Sequence, residues 1–309
     1  MTTTTTRPLA VPQGLARPAT RTAILVLSLL VGLALAVLWS SELVDQQIGM
    51  SVANSVLGGD ARNDAIAGSL SGALFAFVSG FAGTFTACNI AVFAAAPAVA
   101  TQSSPRRTRL RGALGSLGWL GAGQLGVAVV YGFVAVLMGR SLPQLSAATV
   151  GNQVPVRLLQ SVIVFGVIGL AFIYLGLASL GVLPDPLATR PRTRLVILGA
   201  LIGGFLVGRP YPLFFKLLTY AVNAHNPLYG SLALALQALG NILVMAALVL
   251  VASLLSGQRL ARWLSQPGRA SAVAAAGLLA LGLFLVVYWD VRLPAHFGYG
   301  WFPTMPWNS

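Results

Sequence analysis

Charge is what this chain has least of. Asp, Glu, Lys and Arg make up 8% of its 309 residues while 57% are hydrophobic, whereas charged residues are about a quarter of an average soluble domain. An ordinary soluble globule is excluded, and the composition is that of an all-α polytopic membrane protein. Cysteine is almost missing as well. The single one, Cys88, excludes an intramolecular disulfide, so helix packing must hold the fold. No nucleotide loop, zinc signature or hydrolytic triad occurs at usable spacing, which argues against a soluble-type enzyme and implies neither a cofactor nor a metal. The formal charge of +13 does not point to nucleic acid, because the basic residues sit in short loops between apolar runs and form no patch on a soluble domain.

What is present is a series of apolar runs. Seven of them, at 23–39, 65–100, 113–139, 157–183, 195–222, 230–256 and 272–289, approach the roughly 20 residues needed to cross about 30 Å of hydrocarbon. The run 65–100 would extend about 54 Å as one helix, so it must break, tilt or project, with Gly80, Gly83 and Pro97 marking the disturbance. Basic residues at 7–21, 106–111, 190–194 and 259–269 account for 13 of the 19. The alternate loops hold Arg62, Arg140, Arg157, Arg209, Lys216 and Arg292 with five of the six acids, Glu42, Asp45, Asp60, Asp64 and Asp290. The positive-inside rule then places the N-terminus in the cytoplasm and the C-terminus outside a cytoplasmic membrane.

The Thr- and Pro-rich segment 1–22 reads as a disordered cytoplasmic tail, and 23–39 as an N-terminal transmembrane anchor in preference to a cleaved signal, since no small-x-small site follows it. Residues 290–309 read as an external aromatic tail. Between them, 65–183 and 195–289 form two triplets of spans, each opening on an interrupted run. Three is odd, so the second triplet enters from the opposite side, which makes an inverted repeat. Gln124-Leu-Gly126 and Gln237-Ala-Leu-Gly240 echo one another in the middle helices. The small-residue pairs Gly68/Gly72 and Gly199/Gly203 suit close helix approach.

The interruptions read Gly80-Phe-Ala-Gly-Thr-Phe-Thr-Ala-Cys88-Asn89 and Gly208-Arg209-Pro210-Tyr211-Pro212. Unwound backbone at membrane depth is tolerated where protein or a water cavity satisfies it, so paired breaks point to a midplane site. Its candidate residues are Cys88 with Thr84, Thr86 and Asn89 from the first break, and Arg209, Pro210, Tyr211, Pro212 and Lys216 from the second.

Ser79-Gly80-Phe-Ala-Gly83-Thr-Phe-Thr-Ala-Cys88 in the first half, and Pro212-Leu-Phe-Phe-Lys-Leu-Leu-Thr-Tyr220, Asn226-Pro-Leu-Tyr-Gly230 and Leu234-Ala-Leu-Gln-Ala-Leu-Gly240 in the second, resemble the transmembrane cytochrome c biogenesis proteins and the membrane domain of the thiol-disulfide interchange protein DsbD. The likeness covers roughly residues 66–290. It implies a carrier of reducing equivalents that accepts electrons from a cytoplasmic thioredoxin-like donor and passes them to an external thiol protein. Each half of that family carries one cysteine. Here Ala87 stands where the family has proline, and Tyr211 or Arg209 stands at the second cysteine. Disulfide exchange needs a resolving thiol, so the complete relay cannot run within this one chain.

The residues leave alternatives open. Cys88 is a reactive thiol or a small buried side chain. Arg209 and Lys216, the only lysine, are functional ions inside a span or long side chains snorkelling to the headgroups. His225 reads as a loop histidine more readily than as a ligand, and His296 as part of an interfacial aromatic belt. Three functions follow: a handler of reducing equivalents or of a thiol-reactive solute through Cys88, an inverted-repeat carrier of a small solute or anion through Arg209 or Lys216, and a structural or assembly subunit among other membrane proteins.

Overall fold

The computed structural model describes residues 18–40, 42–84, 106–151, 154–255, 266, 268–303 and 305. The apolar runs fold as helices: α1 (Pro18–Leu38), α2 (Met50–Leu57), α3 (Gly68–Ala82), α4 (Arg106–Met138), α5 (Val156–Ser179), α6 (Pro191–Gly208), α7 (Pro212–Asn223), α8 (Pro227–Leu255), α9 (Arg269–Leu285) and α10 (Leu293–His296). Two π-helical segments, Glu42–Gly49 and Val286–Arg292, precede α2 and α10. Among the described residues the sheet is limited to β1 (Thr149–Val150) and β2 (Val154–Pro155), an antiparallel pair.

Among the described residues, six helices are long and apolar enough to cross a membrane: Thr20–Leu38, Leu114–Ser141, Val156–Ser179, Pro191–Gly208, Pro227–Leu248 and Arg269–His296. That is one fewer than the sequence reading. The difference lies at 65–100, of which 65–84 is described and holds α3, 15 residues or about 22 Å, short of a bilayer core. Residues 85–105 lie outside the described set. Two boundaries also move: α1 begins at Pro18 inside the expected tail, and the expected external tail stays helical to His296. The run 195–222 is two helices, parted at the interruption expected from the sequence.

The second break has a local cause. Arg209 and Tyr211 each precede a proline, and proline's ring pushes the residue before it out of the helical region. Both are extended, with ψ of 132° and 131°. Pro212 has no N–H to return to Gly208, but its fixed φ suits the first turn of a new helix, so α7 starts there.

Packing follows a paired plan. α4 and α8 pack against each other, α3 lies along α8, α6 lies along α4, α5 runs with α9, and α1 packs on α9. Glycines set the closest crossings. A Cβ added at Gly80 would lie 1.8 Å from the Gln237 carbonyl oxygen, and one at Gly240 would lie 2.1 Å from that of Phe77. On the other side, a Cβ at Gly199 would lie 1.8 Å from the Leu120 carbonyl oxygen, and one at Gly123 would lie 2.0 Å from that of Val196. Adding 119 to positions 77 and 80 gives 196 and 199, and adding 117 to 120 and 123 gives 237 and 240. The α3–α8 and α4–α6 crossings therefore exchange under one register, the contact pattern of a two-fold relation.

That register corrects the echo read from sequence. The counterpart of Gln124 is Asn241, and Gln237 matches Leu120. The two true counterparts touch, since Gln124 Nε2 donates to Asn241 Oδ1 at 2.8 Å.

Candidate functional site

α3 ends at Gly83, whose N–H donates to the Ser79 carbonyl at 2.9 Å. The next residue, Thr84, is buried and gives its hydroxyl proton to the Gly80 carbonyl at 3.0 Å. Its Oγ1 accepts from Asn241 Nδ2 at 3.1 Å, and Asn241 accepts in turn from Gln124. A chain of neutral hydrogen bonds thus joins the end of α3 to α8 and α4. Gln124 Oε1, Gln237 Oε1 and Ser79 Oγ are buried without a partner in the structure.

The second break finishes on a cation. Arg209 is 7% exposed, and its guanidinium carbon lies 4.9 Å from the centroid of the Tyr211 ring. Gly208 packs on Val164 and Phe165 of α5. Phe165 is nine residues past Val156, so the break sits about 13 Å along that helix from its start. In an unbroken helix Val207 would receive the Tyr211 N–H, which instead turns to the Arg209 carbonyl at 2.8 Å. The vacated Val207 carbonyl accepts from Gln144 Nε2 at 3.1 Å, and Tyr131 donates its hydroxyl proton to Gln144 Oε1. Gln144 therefore caps the break from the loop that follows α4.

Tyr211 brings the two breaks together. Its Cε1 lies 3.7 Å from where a Cβ on Gly83 would stand, and its hydroxyl faces Gly49, 2.8 Å from a Cβ placed there. That hydroxyl is buried without a partner. Pro210 is exposed and Pro212 half-buried.

Lys216 belongs elsewhere. Its Nζ donates to the carbonyls of Ala61 at 2.7 Å and Asp64 at 2.5 Å and lies 5.0 Å from the Phe75 ring centroid. It fastens α7 to the loop before α3. Asp60 in that loop is held below the usual carboxylate range, first by the Asn63 side chain, which donates to Oδ2 at 2.7 Å, and then by backbone N–H groups of Asn63 and Arg62.

Of the sequence-predicted residues, Tyr211 meets the end of α3 at Gly83, one residue before Thr84, and Arg209 lies over the Tyr211 ring, while Lys216 faces the loop. Thr86, Cys88 and Asn89 lie outside the described residues. His225 takes a left-handed backbone, φ 53°, in the turn between α7 and α8, with Nδ1 2.7 Å from the Asn223 carbonyl. His296 is exposed beside Phe297. Among the described residues no three His, Cys, Asp or Glu side chains are grouped to hold a metal. Sequence reasoning missed Gln124, Gln144 and Asn241 as site residues. Amides in mostly apolar helices were the available signal, Gln124 alone in α4 and Asn241 with Gln237 in α8.

Fold and composition define an all-α multi-pass membrane protein. Compared with known proteins, the chain matches no family model, no curated protein and no solved structure.

Proposed function

We propose that this protein is an inverted-repeat membrane carrier of a small anionic solute, bound where the ends of α3 and α6 meet around Tyr211. The observation that carries the reading is Arg209, a buried guanidinium at a helix break inside the bundle. Removing such a group from water is costly, and ionisable residues kept at membrane depth are functional by default. The N-terminus of α7 begins three residues later and adds a positive dipole end on the same side of the break. The exchanging glycine crossings support the inverted repeat on which alternating access depends.

The test is uptake by vesicles containing the purified protein, with chloride, sulfate, phosphate and small carboxylates as the panel. Arg209→Gln is expected to abolish uptake of the transported anion, while Arg209→Lys keeps the charge and retains part of it. Wild-type uptake of none of the panel, or unchanged uptake in Arg209→Gln, would sink the anion reading.

One observation favours a second reading, the handling of reducing equivalents through Cys88. α3, the helix that precedes Cys88 in the chain, ends at Gly83 against Tyr211 of the second break. On that reading Cys88→Ser abolishes thiol reduction and Arg209→Gln is mild, the reverse of the carrier pattern. Full activity in both variants would leave the structural-subunit role.

A further inference from the structure

Asp290 has no place in the site above. It lies within the span Arg269–His296, and no other Asp or Glu lies in any of the six candidate spans. The chain around it is not α-helical: Val286–Arg292 is a π-helical segment, a geometry that appears mostly as single turns and often at functional positions. Across the seam stands Gly166 of α5, and a Cβ there would lie 2.6 Å from Asp290 Oδ2. Gly166 is ten residues past Val156, about 15 Å along α5 from its start. The glycine makes room for the carboxyl group at that depth.

The carboxyl is not balanced by the obvious partner. Oδ1 is buried with no hydrogen bond in the structure. Arg292, two residues on, directs its guanidinium to the carbonyls of Ala36 on α1 and of Trp39 just past its end, at 2.7 and 2.8 Å, and over the Tyr288 ring. Of the elements beside this segment, the end of α6 brings the Arg209 guanidinium, which interacts with Tyr288 of the segment; α5 brings Arg157, exposed in its first turn, and Tyr174, two turns beyond Gly166, while α10 brings the exposed His296. α1 and α9 bring Arg21 and Arg269, each at the opposite end of its helix. Asp290 as a whole is half-buried, and with one oxygen sealed from water and from donors its ionised form is disfavoured, whereas a carboxylic acid tolerates that setting.

We infer that Asp290 is a proton-binding site, a carboxyl group in the α5–α9 seam that takes up and releases a proton within the span. This stands apart from the anion reading and does not require it.

The probe is dicyclohexylcarbodiimide, an apolar reagent. A protonated carboxylic acid adds across its N=C bond and the adduct rearranges to a stable N-acylurea, with no oxidant or reductant involved. The full-length protein in lipid vesicles is treated between about pH 5 and about pH 9, a range that brackets strongly raised carboxyl groups, and the modified residue is located by peptide mass spectrometry. The expected result is one adduct, on Asp290, whose yield falls more than about tenfold from the acid to the alkaline end because only the protonated acid reacts. Asp290→Asn should remove the adduct without changing the thermal midpoint. No adduct on Asp290, an adduct insensitive to pH, or preferential labelling of Asp60, Asp64 or Asp185 would overturn the proposal. The wild-type pH series decides the matter even if the variant fails to fold.

Discussion

Where α3 gives way at Gly83 the next side chain is a hydroxyl, threaded through Asn241 to Gln124. Where α6 gives way at Gly208 it is a guanidinium, lying over Tyr211 beside a carbonyl capped by Gln144. The crossings that lead to these two ends share one register and nearly the same glycine-to-carbonyl approaches. The packing is duplicated but the two ends are not counterparts: the same register matches Gly83 with Ile202 and Gly208 with Asn89, so α6 stays helical seven residues past the point that matches the end of α3 at Ala82. A repeat can keep its backbone contacts, which demand glycine at fixed positions, while its helices end at different points and present different groups there.

The severest way to break the comparison is to fill the crossings. Gly80→Ala and Gly199→Ala each place a methyl 1.8 Å from a partner carbonyl oxygen, where the atom in the way is backbone and cannot turn aside. Each is expected to cost about 3 kcal/mol or more, at or beyond the usual range for overpacking. Gly112→Ala, with nothing within 4 Å of the new methyl, should be neutral or slightly stabilising. Unfolding equilibria in mixed detergent measure all three. Tolerance of one crossing variant but not the other would show that the halves are not equivalent.

Next in size are the polar chains. Asn241→Ala strands Gln124 Nε2 and removes the donor to Thr84, with an expected loss of about 2 kcal/mol. Gln144→Ala leaves the Val207 carbonyl and the Tyr131 hydroxyl without their partner and should cost about 1 to 2 kcal/mol. The two differ in what else they change: Gln144→Ala should lower anion affinity by loosening the break before Arg209, and Asn241→Ala should lower it less. Equal affinity losses would join the two ends into one site.

How much of this was legible in the sequence follows from which forces are local. The break at 208–212 could be read because two prolines act on their immediate neighbours. The spans could be read because lipid rewards a continuous apolar run. The partner of Gln124 could not, because matching letters favoured Gln237 while the contact register, a tertiary property, selects Asn241. Gln144 stayed hidden for the same reason: it caps a helix end 63 residues away. Nothing local marks a π-helical segment, so Asp290 read simply as one acid in an outer loop. Cys88, on which the thiol reading rests, falls outside the described residues.

A smaller effect separates the neighbours of the second break from the break itself. Lys216→Met removes two hydrogen bonds to the 61–64 backbone and should cost about 1 kcal/mol, with faster amide exchange there and unchanged anion affinity. If affinity falls with it, Lys216 acts on the solute after all.

The least effect concerns pH. Asp60 is held below its ordinary value of 3.8, so the stability it lends the loop is present above that value and is lost as pH falls through the lower folded one. Amide exchange at Arg62 and Asn63 should quicken, beyond the intrinsic pH trend, only below about pH 4, where a free aspartate begins to protonate. Asp60→Asn should remove that step. Quickening that begins near neutrality would point to another group.

The hydrogen bonds from Arg292 to Ala36 and Trp39 span 256 and 253 residues, and α1 packs along α9 as well. A helix made early is therefore completed by a segment made about 250 residues later. At about 5 to 20 residues per second, roughly ten seconds to a minute pass between the two. Throughout that interval α1 rests in the bilayer without its final neighbour, and the other helices must assemble in an order that leaves its berth open.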